Sequence, residues 1–172
     1  MRRSAKNPLI AIIVLLSLFS ARYIADYIKQ PASAKKSATG YVFFVKRVID
    51  GDTIVLSTGE RVRYIGINTP EIHHPRKGIE YYGPEAADFN KRLVLGKKVK
   101  LEFDAERLDR YGRTLAYVYL EDGTFVNAEL LRQGYARTMT IRPNIKYADL
   151  FKRLQEEARR QKRGMWAREW AR

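Results

Sequence analysis

From residue 41 onward the apolar positions fall into short alternating runs separated by turn residues. Tyr41 to Ile49 is rich in aromatic and β-branched residues and predicts a strand. Asp50-Gly51-Asp52 is a turn, and Thr53 to Leu56 begins a second strand; Thr58-Gly59 makes a hairpin turn into a third, Arg61 to Ile67. Lys98 to Phe103 and Arg113 to Leu120 alternate in the same way. Helical spacing appears in three places. Gly83-Pro84 opens a helix carrying Ala86, Phe89, Asn90 and Leu93, with Pro84 suited to the first helical position. Val126 to Gln133 is a short helix stopped by Gly134. Ile145 to Arg163 is longer, with Tyr147, Leu150, Phe151, Leu154 and Ala158 as its apolar stripe. No internal repeat is visible. Five short strands with helices inserted and appended is an α+β pattern, mainly β, and a small closed barrel would remove the exposed strand edges.

The residues before Tyr41 show another pattern. Arg2, Arg3 and Lys6 precede a charge-free run from Asn7 to Ala21, almost purely aliphatic between Leu9 and Leu16. A basic start followed by an apolar stretch is the layout of a secretory signal. Ala32-Ser33-Ala34 has small residues at cleavage spacing but lies well past the apolar run, and nearer candidates put Phe19 or Leu18 where a small residue is wanted. Continued through Tyr23, Ile24 and Ala25, the helix approaches the ~20 residues a bilayer requires, so the reading favours a retained signal-anchor over a cleaved signal. The basic start would hold the N-terminus in the cytoplasm and export the rest of the chain. The organisation expected is therefore a hydrophobic N-terminal helix over 1–30, a linker over 31–40 and one domain over 41–168. The domain would be anchored outside the cytoplasm, or secreted if the signal is cleaved.

Charge narrows the partner. The 172 residues carry 33 Lys plus Arg against 19 Asp plus Glu, a net +14, which points to a polyanion. Residues 1–39 hold seven bases and one acid, +6, leaving +8 for the domain. Cysteine is absent, which excludes disulfides, thiolate metal sites and a cysteine nucleophile. His73-His74 is a poor zinc site, because adjacent residues of an extended segment point apart and no third histidine exists. Arg159, Arg160, Lys162 and Arg163 make a basic helix end, read first as a favourable dipole interaction.

Three clusters carry chemistry. Asp50-Gly51-Asp52-Thr53 places two acids at a strand junction. Arg63 to Glu71 runs from an arginine in a strand to oxygen ligands and an acid. Asp109-Arg110-Tyr111-Gly112-Arg113 launches an arginine into another strand. Together with 72–86, 111–119, 126–134 and Arg142-Pro143-Asn144, they resemble the staphylococcal nuclease family, from Val45 to about Trp166. The resemblance implies a five-stranded Greek-key OB-fold barrel with three helices. It also implies calcium-dependent hydrolysis of DNA and RNA phosphodiesters that leaves 3′-phosphates, by a monomeric catalytic domain.

By the same resemblance, Asp52 and the backbone carbonyl of Thr69 are Ca²⁺ ligands, with Asn68 beside them. Glu71 corresponds to the proposed general base, and Arg63 and Arg113 to the arginines that clamp the phosphate. Oxygen ligands suit a hard cation, and a guanidinium offers a planar fork that stays charged. Arg76, Lys77, Arg110 and Tyr111 are read as substrate contacts, the first two as a basic loop. Two departures stand out. Asn68 replaces a second metal-binding aspartate, removing one formal charge, while Asp50 lies near enough to assist through a bound water. Met139 and Ile141 stand where tyrosines contact the nucleoside, either as a weaker base-binding wall or as ordinary apolar residues. The alternative from another class is a non-catalytic nucleic-acid-binding OB domain; for a third, an anionic-membrane or adaptor module, the sequence offers only charge. Because hard-cation affinity rises with ligand charge, Asn68→Asp is expected to tighten Ca²⁺ binding; an unchanged or weaker dissociation constant by calorimetry would count against that account.

Overall fold

The computed structural model describes residues 35–37, 40–72 and 78–169. The N-terminal apolar segment, His73, His74, Arg76 and Lys77 lie outside them. No helix among the described residues is long and apolar enough to cross a membrane.

The strands are β1 (Lys35–Ser37), β2 (Gly40–Val48), β3 (Thr53–Leu56), β4 (Arg61–Tyr64), β5 (Gly66–Asn68), β6 (Lys98–Glu102), β7 (Thr114–Leu120) and β8 (Arg137–Met139). The helices are α1 (Gly83–Val94), α2 (Val126–Arg132), α3 (Ala148–Arg160) and a single turn, α4 (Trp166–Glu169). Strands β2, β3, β4, β7 and β6 follow one another around a sheet, and β2 also pairs with β6, which closes a five-stranded barrel. A shift in register between Val45 and Arg47 bends β2 so that it can serve both neighbours. Closure leaves the barrel no free edge. β1, inside the stretch read as a linker, pairs with the start of β2.

The barrel interior is filled by Val45, Ile54, Leu56, Val62, Val99, Ala116 and Val118, all fully buried. These are the inward positions of the alternation seen in the sequence. α3 closes one side with Phe151, Leu154 and Ala158. Phe151 meets Tyr117, Phe125 and Tyr147 in a cluster of tilted and edge-on rings. α4 adds Trp166, which packs with Ala158 and Met165 and lies under the guanidinium groups of Arg137 and Arg159.

Three differences from the sequence expectation shape the site. The strand expected over Arg61–Ile67 is two strands. The chain breaks at Ile65, whose N–H still donates to Ala116, and Gly66 takes φ 80°. A Cβ at Gly66 would lie 2.5 Å from the Phe151 ring, so both conformation and space demand glycine there. β4 therefore stays in the barrel, parallel to β7, while β5 leaves it to pair with β8. β8 itself has no apolar alternation, so no periodic pattern marks it in the sequence. Finally, α3 starts at Ala148 rather than Ile145. Asn144 is bonded to the backbone of Glu106, Lys146 N–H donates to Asp104, and the Tyr147 hydroxyl donates to Glu102.

A buried amide holds the break at Ile65. The Asn127 side chain on α2 accepts from Val118 N–H at 3.0 Å and donates to the Ile65 carbonyl at 2.9 Å. Removing it would strand a buried donor and a buried acceptor, each costing about 1–3 kcal/mol. Asn127→Ala is expected to lower unfolding free energy by about 2–4 kcal/mol, measured by urea titration with an unchanged slope.

Candidate active site at the β4–β5 end of the barrel

The Asp50–Thr53 loop joins β2 to β3 and is held from three directions. Asp52 N–H donates to the Asp50 carboxylate at 3.0 Å, closing an Asx-type turn. The Asn90 amide on α1 donates to the Asp50 carbonyl at 3.0 Å and accepts from the Tyr64 hydroxyl at 3.0 Å. Asn90 and Tyr64 are buried, so this chain of bonds links α1, β4 and the acidic loop with no share taken by solvent. Burial pushes the Tyr64 hydroxyl pKa up, which keeps it a neutral donor. Gly51 packs on Thr69: a Cβ there would lie 2.6 Å from the threonine side chain.

Asp52 is buried, accepts three hydrogen bonds and forms one ion pair. The hydrogen bonds come from Thr53 Oγ1 (3.2 Å), Thr69 N (2.7 Å) and Thr69 Oγ1 (3.1 Å), and Arg63 Nε lies 3.1 Å from Oδ1 in the ion pair. The Arg63 guanidinium is equally engaged. Beyond Asp52 it donates from Nη1 to the carbonyls of Tyr64 (2.7 Å) and Ile67 (2.8 Å), and from Nη2 to Asn68 Oδ1 (2.8 Å). Three of the four Nη hydrogens of this side chain are thus used within the loop, leaving one for a ligand, while Nε faces Asp52 in the ion pair. The pairing of Arg63 with Asp52 also means the arginine is a structural ion pair as well as a candidate clamp. Asn68 Nδ2 in turn donates to the Thr69 carbonyl at 3.3 Å.

The site is rich in negative charge. The Asp50 carboxyl is pushed up to about 7, by burial first, then by the neighbouring Asp52 charge, with Glu71 adding to it. A single guanidinium therefore does not balance the acids gathered here. Among the described residues, no group of three or more acidic, histidine or cysteine side chains stands as a metal cage. The set is instead a mixed one of carboxylates, the Asn68 amide oxygen and the Thr69 carbonyl. Such donors suit a hard cation and no soft one. Two of the three hydrogen bonds on Asp52 come from hydroxyls, which rotate, so the carboxylate can admit a cation without breaking its backbone bond. Glu71 is held through its main chain: its N–H donates to the Glu80 carboxylate at 3.1 Å, and its carbonyl accepts from Glu80 N–H at 2.9 Å.

Arg63 also lines a cleft of about 450 Å³ shared with Arg113, Arg110, Tyr111, Met139 and Ile141. The two arginines, fifty residues apart in sequence, converge because β4 and β7 are parallel neighbours and Arg113 immediately precedes β7. Asp109 accepts Arg113 Nε at 2.6 Å. Tyr111 is 69% exposed, with the guanidinium groups of Arg110 and Arg113 over its ring at 4.8 and 5.6 Å. Met139 and Ile141 are 42% and 58% exposed on the same cleft, so they belong to a surface wall and not to the core. Four residues that support this arrangement carry no signal of that role in the sequence: Tyr64, Asn90, Asp109 and Asn144. Asp109 and Asn144 lie within recognised motifs, whereas Tyr64 and Asn90 read as ordinary strand and helix positions.

Residues 61–168 match the family model described as staphylococcal nuclease homologue. The chain is 41% identical over 162 residues to the thermonuclease of Staphylococcus intermedius, covering 91% of this chain and 96% of that protein. It is 36% identical over 162 residues to the thermonuclease of Staphylococcus hyicus, covering 92% and 95%. With the endonuclease YncB of Bacillus subtilis it shares 44% identity over 127 residues, 71% of this chain and 60% of that one.

The Gly51–Thr69 contact is a direct handle on the loop. Gly51→Ala is expected to force Thr69 off Asp52 and to destabilise the protein by about 1–3 kcal/mol, the range for overpacking. Chemical denaturation of the variant checks this, and an unchanged midpoint would show that the loop can give way.

Proposed function

Because the chain belongs to the staphylococcal nuclease family and is a nuclease that hydrolyses phosphodiester bonds, we propose that it is a calcium-dependent, sugar-nonspecific enzyme acting on DNA and RNA. The observation that carries the reading is the convergence of Arg63 and Arg113 on one cleft, with Arg63 tied at the same time to the Asp52–Thr69 oxygen cluster.

The chemistry is set by the needs of a phosphodiester. Its negative charge repels a nucleophile, and the five-coordinate state it passes through carries more charge still. Arg113 meets that charge with both Nη groups, which make no hydrogen bond among the described residues. Arg63 adds its remaining N–H and its full charge. Asp52, Asn68 and the Thr69 carbonyl would hold Ca²⁺, which when bound supplies Lewis-acid polarisation of a phosphoryl oxygen. Glu71 accepts the proton of the attacking water, to which it need only reach by a hydrogen bond. In-line attack forms a bond from the water oxygen to phosphorus and breaks the bond from phosphorus to the 5′-oxygen. The 5′-oxygen takes up a proton from water, and the product keeps a 3′-phosphate. Tolerance of both sugars fits a cleft whose charged groups meet phosphate while its apolar wall of Met139 and Ile141 offers no base-edge pattern. Arg76, Lys77, Arg110 and Tyr111 would extend the contact along the strand. The basic start and apolar run of residues 1–30 support export of a monomeric catalytic domain tethered at the membrane's outer face.

A fluorogenic DNA or RNA oligonucleotide should be cleaved with Ca²⁺ and spared with EDTA. Arg113→Ala is expected to lower kcat/KM roughly 100–1000-fold, the scale for losing one charge-stabilising donor group, and Glu71→Ser should lower kcat. Binding that persists with no metal-dependent cleavage would replace the enzyme reading by that of a nucleic-acid-binding domain.

A further inference from the structure

Asp109 divides its two oxygens between two tasks. Oδ1 accepts the backbone N–H of Tyr111 at 2.8 Å and of Arg113 at 3.0 Å. With the backbone bonds Gly112 N–H to the Asp109 carbonyl and Asp109 N–H to the Arg113 carbonyl, both 3.0 Å, this closes the turn before β7. Gly112 supplies the left-handed residue, φ 74°. A turn of this kind needs one side-chain oxygen, and asparagine provides it as well as aspartate. Oδ2 is not used by the turn. It accepts Arg113 Nε at 2.6 Å in an ion pair whose members are only 15% (Asp109) and 29% (Arg113) exposed.

The choice of a carboxylate is therefore explained by the arginine alone. An asparagine would turn either an N–H₂ group toward the Nε donor, or its oxygen, and then abandon the turn. Engaging Nε fixes the plane of the guanidinium and leaves both Nη groups available to the cleft. The Tyr111 ring, 5.6 Å from the guanidinium carbon, packs near the group and limits its rotation. Arg110 takes the other contacts of that ring, with Nη2 2.6 Å from the Tyr111 hydroxyl. Charge considerations alone argue against an acid here, since Asp109 offsets the positive charge that attracts the substrate. Its presence makes sense where orientation counts for more than bulk attraction.

We propose that Asp109 is a positioning residue for the phosphodiester reaction, orienting Arg113 through Nε so that both Nη groups meet the charge that develops on the phosphate. The inference rests on the nuclease reading. It makes a separable prediction, because losing the carboxylate removes the orientation while restoring net positive charge to the cleft. In Asp109→Asn of the full chain, assayed with a fluorogenic single-stranded DNA oligonucleotide and Ca²⁺, kcat is expected to fall roughly 10–100-fold, the scale of a misplaced catalytic group. KM should stay level or fall, and Tm should hold within about 2 °C, less than the 2–4 °C that loss of ~1 kcal/mol costs a chain of this size. The Arg113 Nε–H proton, followed by ¹⁵N NMR, should exchange faster with water. Asp109→Ser, which also keeps one oxygen for the turn, should behave alike. Wild-type kcat in both variants overturns the proposal. So does a kcat loss accompanied by a raised KM and a lowered Tm, or failure of both variants to fold, since either outcome gives Asp109 to the fold. Absence of cleavage by the wild-type chain is a different result, and would remove the nuclease reading itself.

Discussion

The contact on which the rest of the site depends is the ion pair between Arg63 and Asp52. A buried carboxylate and a largely buried guanidinium are each expensive to desolvate, and the pair is tolerable only if every remaining donor and acceptor is met. Here backbone and neighbouring side chains together meet the pair. Arg63 is closed off by the carbonyls of Tyr64 and Ile67 and by Asn68, and Asp52 by Thr53 and Thr69. Satisfying the pair therefore dictates the path of the chain from Tyr64 to Thr69. That path departs from the barrel at Ile65, turns at Gly66, and sets β5 against β8.

A rigid frame around this pair lets the two arginines take different roles. Arg63 is spent mostly on its own loop and acts as a fixed charge with one donor to spare. Arg113 is tied at Nε only, leaving its end-on pair of nitrogens for a ligand. The division reflects position. Arg63 lies within β4, where its side chain runs under the β4–β5 turn, while Arg113 sits at the last residue of an exposed hairpin beside Tyr111. The frame itself is buried polar chemistry as much as apolar packing. Asn127 pins the break in the strand, and the Tyr64–Asn90–Asp50 chain pins the acidic loop to α1. Such networks specify one arrangement because each member has a costly alternative.

Much of the barrel is legible in the chain. Strands Thr53–Leu56 and Lys98–Glu102 and the opening of α1 at Gly83 lie where alternation, turn residues and Pro84 put them. Two-faced burial explains why: inward positions must be apolar every second residue, and that pattern survives without any knowledge of partners. β8 and the split at Ile65 are not legible. A three-residue strand has no periodicity to show, and the break combines Gly66 at φ 80° with an arginine reaching four residues ahead, a contact that no local pattern marks. The candidate site residues stand out only through the resemblance of their ordered motifs to the family. Their supporting set does not, since Tyr64 and Asn90 differ from any tyrosine or asparagine only in what they touch.

By itself the sequence determined the class of the fold, because alternation and turn residues record which positions face a core, while the oxygen ligands of the acidic loop and the pair of arginines entered only as what the resemblance of its ordered motifs to a known family implies. Only the tertiary structure decided how those groups are shared. It tied Arg63 to Asp52 and Asn68, left the Nη groups of Arg113 open, and set Met139 and Ile141 on the cleft wall. The physical reason is that a hydrogen bond belongs to a geometry, not to a residue. The same guanidinium is a clamp or a strut according to which carbonyls the folded chain brings within hydrogen-bonding reach of it.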